Sequence, residues 1–371
     1  MPFTPGSDTL QRYVYTMASL VLTVVVLYYG RDLILQLVVA GLLAFLLLPL
    51  ARTTEKRLPR WAGALLATLS LVVVVLGLFF VIGWQLSSFG KELPVLQERF
   101  AAKGDWLLAW LEDQTDMDRR AQMAWFNEHL SGLANWSGKA ALQLFSGTGS
   151  ALAAIAPIPV FVFLLLLLKD RFRTFFTRLG TTREGAVLDV MVRISALSRK
   201  YVRGVLTVAL IFGTLCAIGF SLIGLKYALL LGFLLAILNV IPYVGALLGS
   251  LLPVFVALVT KDSYSAAIAA LAVVLVVQAL DNNLITPKVV GSSVSINPLA
   301  SLVALIGFGM LWGVAGMLLA IPITGMLKVV CDSVPSLQPW GYLLGEEIET
   351  PKEKRFHLRF KRKAEGVKRS T

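Results

Sequence analysis

Charge, cysteine and histidine are all scarce in this chain. Of its 371 residues only 15% are charged, and two each are cysteine and histidine, whereas charged residues make up about a quarter of a soluble domain. Cys216 lies inside an apolar run and Cys331 just after one, which excludes a disulfide framework and a zinc site. Neither histidine falls in an apolar segment, and His129 stands in polar sequence with no ligand partner at useful spacing. No nucleophile is paired with a base and no phosphate-cradling glycine loop occurs, so an enzyme is not expected and no cofactor is implied. Long polar stretches are rare too, confined to residues 85–147, the loop around 169–203 and the C-terminal tail.

What fills the chain instead is hydrocarbon. Hydrophobic residues make up 57% and the mean hydropathy is +0.77, more apolar surface than a soluble core absorbs. The net charge of +12 comes from basic residues between apolar spans and in the tail, not from one face. That is the loop bias of a membrane protein and not a nucleic-acid interface. The predicted fold class is therefore all-α and polytopic, with about eight membrane segments.

Three spans open the chain, at about 13–29, 33–50 and 61–84. The first has only Arg12 ahead of it and no cleavage-type sequence after it, so it reads as a retained anchor and not a secretory leader. Arg52, Lys56, Arg57 and Arg60 mark the next loop as cytoplasmic, which places the N-terminus inside as well. Residues 85–147 hold eight acidic residues against six Lys and Arg. Val95, Leu96, Phe100 and Leu107, then Met123, Phe126 and Leu130, recur at helical spacing there, and external amphipathic helices are expected. A fourth span, 151–168, leads into nine Lys and Arg between 169 and 203. Val187, Met191, Ile194, Leu197 and Tyr201 share one face of a helix whose other face carries Arg193, Arg199 and Lys200, a pattern suited to anionic headgroups and equally to a simple linker helix.

The remaining spans differ. Runs 228–259 and 299–330 each hold 32 residues, while a bilayer crossing needs about 20. Each is interrupted near its middle, the first by Asn239-Val-Ile-Pro242-Tyr243-Val-Gly245 and the second by Gly307, Gly309, Trp312 and Gly313. Proline removes a donor and glycine permits reversal, so re-entrant hairpins are favoured over single tilted crossings, and either topology leaves the tail inside. Span plus hairpin then occurs twice in opposite orientation, the inverted-repeat arrangement of alternating access. Five regions result: 1–84 with three spans, 85–147 as the external insertion, 148–203 with the fourth span and the basic helix, 204–330 as a transport core, and 331–371 as a basic cytoplasmic tail.

The candidate substrate-binding residues are Asn239, Pro242, Tyr243, Gly245, Gln278, Asp281, Asn282, Gly307, Gly309 and Trp312. Asn239 and Tyr243 offer polar groups without charge, although each also suits a turn cap. The glycines also suit helix packing, and Trp312 is either a lid or an interface anchor. Asp281 is the only acid between Asp262 and Asp332; a carboxylate beside an apolar span is costly and commonly functional. It is the candidate for ion coupling, against the plainer reading of a helix-end carboxylate paired with Lys288 or backbone amides. Gln278, three residues earlier, shares its helical face.

Asn239 through Gly245, Asp281-Asn282 with Pro287-Lys288 and Gly291, and Asn297-Pro298-Leu299 through Ala320-Ile-Pro322 together resemble the signature segments of the autoinducer-2 exporter family of bacterial permeases. The resemblance is strongest from Tyr201 to Val330 and absent from the polar insertion. It implies a multi-pass protein of the bacterial inner membrane, eight membrane segments, and a homo-oligomer such as a pentamer whose protomers transport separately. It also implies export of autoinducer-2 in some members and exchange of sodium or lithium for protons in others. The expected partners are a small polar solute, protons or sodium, and membrane lipids, with no nucleic acid. Three functions stand: efflux of a small polar solute by alternating access, monovalent cation/proton antiport centred on Asp281, and a non-transporting membrane scaffold.

Overall fold

Apolar runs free of breakers become long helices, and the breaks fall where Gly, Pro or Asn interrupts them. The computed structural model describes residues 7–114, 155–179, 184–240, 244–261, 264–290 and 295–346. The helices are α1 (Ser7–Tyr29), α2 (Arg31–Thr54), α3 (Arg60–Gln114), α4 (Pro157–Leu167), α5 (Lys169–Leu179), α6 (Glu184–Leu222), α7 (Ala228–Asn239), α8 (Val244–Thr260) and α9 (Tyr264–Leu280). A wide π-type turn, Asp281–Ile285, then leads to α10 (Thr286–Val289), α11 (Pro298–Ser333) and α12 (Gln338–Leu344). No strand occurs among the described residues, apart from a single bridge between Ile296 and Gly345.

Among the described residues, six stretches are long and apolar enough to cross a membrane: Gln11–Tyr29, Arg31–Thr54, Arg60–Gln85, Val187–Leu222, Tyr264–Val289 and Pro298–Ser333. Their outward faces carry exposed Val73, Val74, Phe80, Leu222, Ile268 and Met310. Apolar surface on this scale needs lipid or another protein to cover it. The fold is that of a polytopic all-α membrane protein.

Both overlong runs double back. In the first, a side chain at Gly249 would collide with Leu235 and approach Leu238, so α8 returns along α7. One continuous helix would hold residues 235 and 249 about 21 Å apart. In the second, a side chain at Gly316 would collide with the carbonyl of Phe308, and one at Gly309 would sit 2.8 Å from Met317 Cε. Those pairs straddle Gly313, whose φ of 63° and ψ of −143° turn the chain. Only glycine adopts that conformation without strain. The arms of this second hairpin hold about 15 and 20 residues, or roughly 22 and 30 Å, each longer than half of a hydrocarbon core of about 30 Å.

Two helices run through the boundaries read from the sequence. α3 continues from the third span to Gln114 as one helix of 55 residues, about 80 Å long. α6 joins the basic segment to the following span in one helix of 39 residues. Composition changes at residues 84 and 203, but no strong helix breaker stands at either place. Gly204 serves packing instead: a side chain there would lie 3.2 Å from Val290 Cγ2. The expected helical positions Met123, Phe126 and Leu130, together with His129, lie outside the described residues, as does the tail from 347 onward.

Among the described residues, two apolar cores hold the helices. Ala40, Ala44 and Ala51 of α2, Ala64 and Ala67 of α3, and Val162 and Leu166 of α4 form one of them. Small side chains let these helices approach closely, where van der Waals contact replaces the missing hydrophobic drive between helices in lipid. The other joins Phe212, Cys216 and Phe220 of α6 to Leu231 and Leu235 of α7, Val256 of α8 and Val274 of α9. Here Gly213 and Ala217 face Gly232 and Ala236, and a side chain at Gly232 would lie 2.6 Å from the Ala217 nitrogen. This small-residue crossing lets α7 lie close against α6.

Candidate functional site

Asn239 is the last residue of α7, at the tip of the first hairpin. Asp281 follows α9 and opens the wide turn. Because α8 and α9 each hold 17 residues and pack side by side, the end of α9 returns to the level of that tip. There Asn239 Nδ2 donates to Asp281 Oδ2 at 3.0 Å, and Thr286 Oγ1 donates to Asp281 Oδ1 at 2.8 Å. The carboxylate is only 4% exposed. Both of its oxygens are satisfied by neutral donors, and no Lys or Arg among the described residues forms an ion pair with it. Pairing with Lys288, the plainer sequence reading, is not what the structure contains; Lys288 is exposed.

The turn itself explains the arrangement. Pro287 lacks an N–H, and its ring crowds the carbonyl four residues back, which loosens a helix just ahead of it. The Thr286 backbone N–H bonds to the Asp281 carbonyl, five residues away. That spacing brings the side chains of residues 281 and 286 onto one face. Such widened turns are frequent at functional positions. Asp281 comes about 25 Å along the axis after Tyr264, while the apolar span continues to Val289, so the cluster lies toward one end of that span.

Along the same helix, Gln278 Nε2 donates to the exposed Asn282 Oδ1 at 3.3 Å. Gln278 Oε1 is buried without a hydrogen-bond partner among the described residues. A buried acceptor of this kind is energetically expensive and suits a donor on a solute. Among the described residues no three His, Cys, Asp or Glu side chains converge as a metal site would require.

The other candidates fall elsewhere. Pro242 and Tyr243 lie outside the described residues, and Gly245 belongs to the first turn of α8. Gly307 faces open space, and Gly309 packs on the returning arm of its own hairpin. Trp312 is 8% exposed; its indole N–H donates to the Leu27 carbonyl at 2.9 Å, and its ring lies 5.5 Å from that of Phe308. Leu27 is near the C-terminus of α1, where carbonyls lack intrahelical partners, so Trp312 ties the second tip to the end of α1. The second hairpin packs on α6 and α12, and no extensive interface between the two hairpins exists among the described residues.

Neither Thr286 nor Asn297, at the base of the second hairpin, is among the candidate binding residues, although the sequence sets Thr286 in the polar stretch after Asp281 and Asn297 in a signature segment. Pro287 was the available signal for Thr286. At the hairpin base, Asn297 Oδ1 caps α11 by accepting from the Ala300 N–H at 2.7 Å, and Asn297 Nδ2 donates to the Leu343 carbonyl at 2.6 Å. Asn-Pro at a helix start is the legible part of that arrangement.

Broken helices, lipid-facing surfaces and one buried, uncharged-partner carboxylate define a multi-pass membrane protein with a polar station inside its helical bundle. Residues 17–336 match the family described as AI-2E family transporter, and the chain belongs to that family. Over 330 residues, 81% of this chain and 86% of the relative, it is 27% identical to "Putative transport protein YrrI" of Bacillus subtilis. Over 334 residues, 84% of this chain and 90% of the relative, it is 28% identical to "Putative permease PerM" of Escherichia coli. A shorter match, 41% identical over 141 residues, covers 38% each of this chain and of "Putative transport protein YueF" of Bacillus subtilis.

Proposed function

We propose that this protein is a secondary transporter that exports a small polar solute, such as autoinducer-2, by alternating access, with Asn239, Asp281, Thr286 and Gln278 as its polar station. The observation that carries the reading is the buried Asp281 carboxylate held by two neutral donors, one of them on the tip of a hairpin. A solute with hydroxyl groups exchanges for those donors without stranding a charge, because each bond lost by Asp281 is replaced by one from the solute. The unpartnered Gln278 oxygen supplies a further acceptor. At 4% exposure Asp281 is occluded, so access requires the first hairpin tip or the Asp281–Ile285 turn to move; hairpins and widened turns are the elements best able to do so.

Comparison of metabolites in medium from cells with the protein, without it, and with Asp281→Asn tests this. A polar solute that accumulates outside only with the unaltered protein supports export; identical profiles contradict it. A second reading, exchange of sodium or lithium for protons, draws on the absence of an ion-pair partner for Asp281 among the described residues. Sodium-driven proton flux in vesicles, lost in Asp281→Asn, is its expected signature. We further place the protein in the bacterial inner membrane, with both termini cytoplasmic, as a homo-oligomer such as a pentamer.

A further inference from the structure

Away from the Asp281 cluster, a polar groove opens at the surface of the bundle. A groove of about 350 Å³ runs between α6 and the end of α10, lined by Arg199, Lys200, Arg203, Gly204, Thr207 and Val289. The α6 residues form one helical stripe, with Arg199 and Arg203 one turn apart so that their guanidinium groups face the same space. Six residues before Arg199, Arg193 pairs with Asp189 at 2.7 Å. Arg199, Lys200 and Arg203 form no ion pair among the described residues, so three cations share one groove without a carboxylate. Arg199 Nε donates to its own helix at the Ser195 carbonyl, 3.4 Å away, which positions the guanidinium and leaves its terminal nitrogens free. Gly204, packed on Val290, keeps side-chain bulk out of the floor, and Thr207 adds a hydroxyl donor.

We propose that this groove binds a phosphate-bearing anion. Two planar guanidinium forks, an ammonium and a hydroxyl match the several acceptor oxygens and negative charge of a phosphate group, and Arg forks favour bidentate contact with it. The volume lies within the usual range for a small-ligand site, and Val289 and Ala196 give it an apolar wall suited to the first methylenes of a lipid's acyl chains. The same chemistry fits an anionic phospholipid or a free phosphate, and the site does not depend on which solute the protein transports. Its wall belongs to the segment that begins at Asp281, so an occupant bears on the turn that Thr286 holds.

The detergent-purified full chain is titrated with dihexanoyl phosphatidylglycerol, with dihexanoyl phosphatidylcholine and with inorganic phosphate, and binding is read by isothermal calorimetry. Saturable binding of phosphatidylglycerol alone identifies a lipid headgroup; binding of inorganic phosphate as well identifies a free anion. In either case Arg199→Gln/Lys200→Gln/Arg203→Gln weakens binding at least tenfold. Arg171→Gln/Arg173→Gln/Arg178→Gln, which removes equal charge from α5, changes it less than twofold. Should the triple variant fail to fold, the exposed single replacement Arg203→Glu carries the test and weakens binding at least threefold. Equal losses in the α5 and α6 variants, or no saturable binding of either anion, overturn the proposal.

Discussion

Asn239 and Asp281, 42 positions apart, meet through one 3.0 Å hydrogen bond that joins a hairpin tip to the end of the next helix. A hydrogen bond to a buried charge contributes about 1.5–3 kcal/mol. Asn239→Ala should therefore lower stability by that order. A double-mutant cycle with Asp281→Asn, read by chemical unfolding in lipid nanodiscs, should show coupling of at least ~1 kcal/mol; additive effects would mean the pair does not communicate.

Thr286 holds the second carboxylate oxygen, and its hydroxyl is what counts. Thr286→Val keeps the shape and removes the donor, with an expected loss of about 1–2 kcal/mol, while Thr286→Ser retains the donor and most of the stability. Parallel unfolding of the two variants checks this.

Gly313 and Gly307 lie six residues apart on one hairpin and should respond in opposite ways. Gly313 has φ of 63° with ψ of −143°, so Gly313→Val is expected to destabilise by about 1–3 kcal/mol. Gly307 faces open space, and Gly307→Ala should stay within about 0.5 kcal/mol of the unaltered protein. Thermal unfolding of both variants in the same detergent makes the comparison.

Trp312→Phe removes the indole donor to Leu27 and keeps the ring against Phe308. The expected loss is about 0.5–1.5 kcal/mol, with transport retained, because the tryptophan ties the second tip to α1 and has no contact with Asp281. A transport defect larger than the loss of folded protein would place Trp312 on the solute path.

Much of the architecture was legible because lipid imposes simple rules. Overlong apolar runs broken at Asn239–Gly245 and Gly307–Gly313 pointed to hairpins, since backbone freed within lipid must find partners nearby. Which glycine turned the second hairpin was not legible: Gly307, Gly309 and Gly313 look alike as letters, and only the backbone angles separate them. Asn239 and Asp281 each stood out as polar residues in apolar surroundings, but their meeting depends on α8 and α9 matching in length and on Gly232 letting α7 settle on α6. The continuity of α3 and α6 was hidden because polarity changes along each helix while helix-forming residues continue. The clamp of Asn297 on α12, from its side chain to the Leu343 carbonyl and from its backbone N–H to the Leu344 carbonyl at 3.0 Å, was hidden for another reason: α12 is short and sits at the edge of a basic tail.

We propose Asp281 as the polar station of transport. Export of the identified solute from membrane vesicles, compared between the unaltered protein and Asp281→Asn at equal amounts of folded protein, tests it most directly. At least a tenfold loss of export is predicted; export at the unaltered rate would contradict the account.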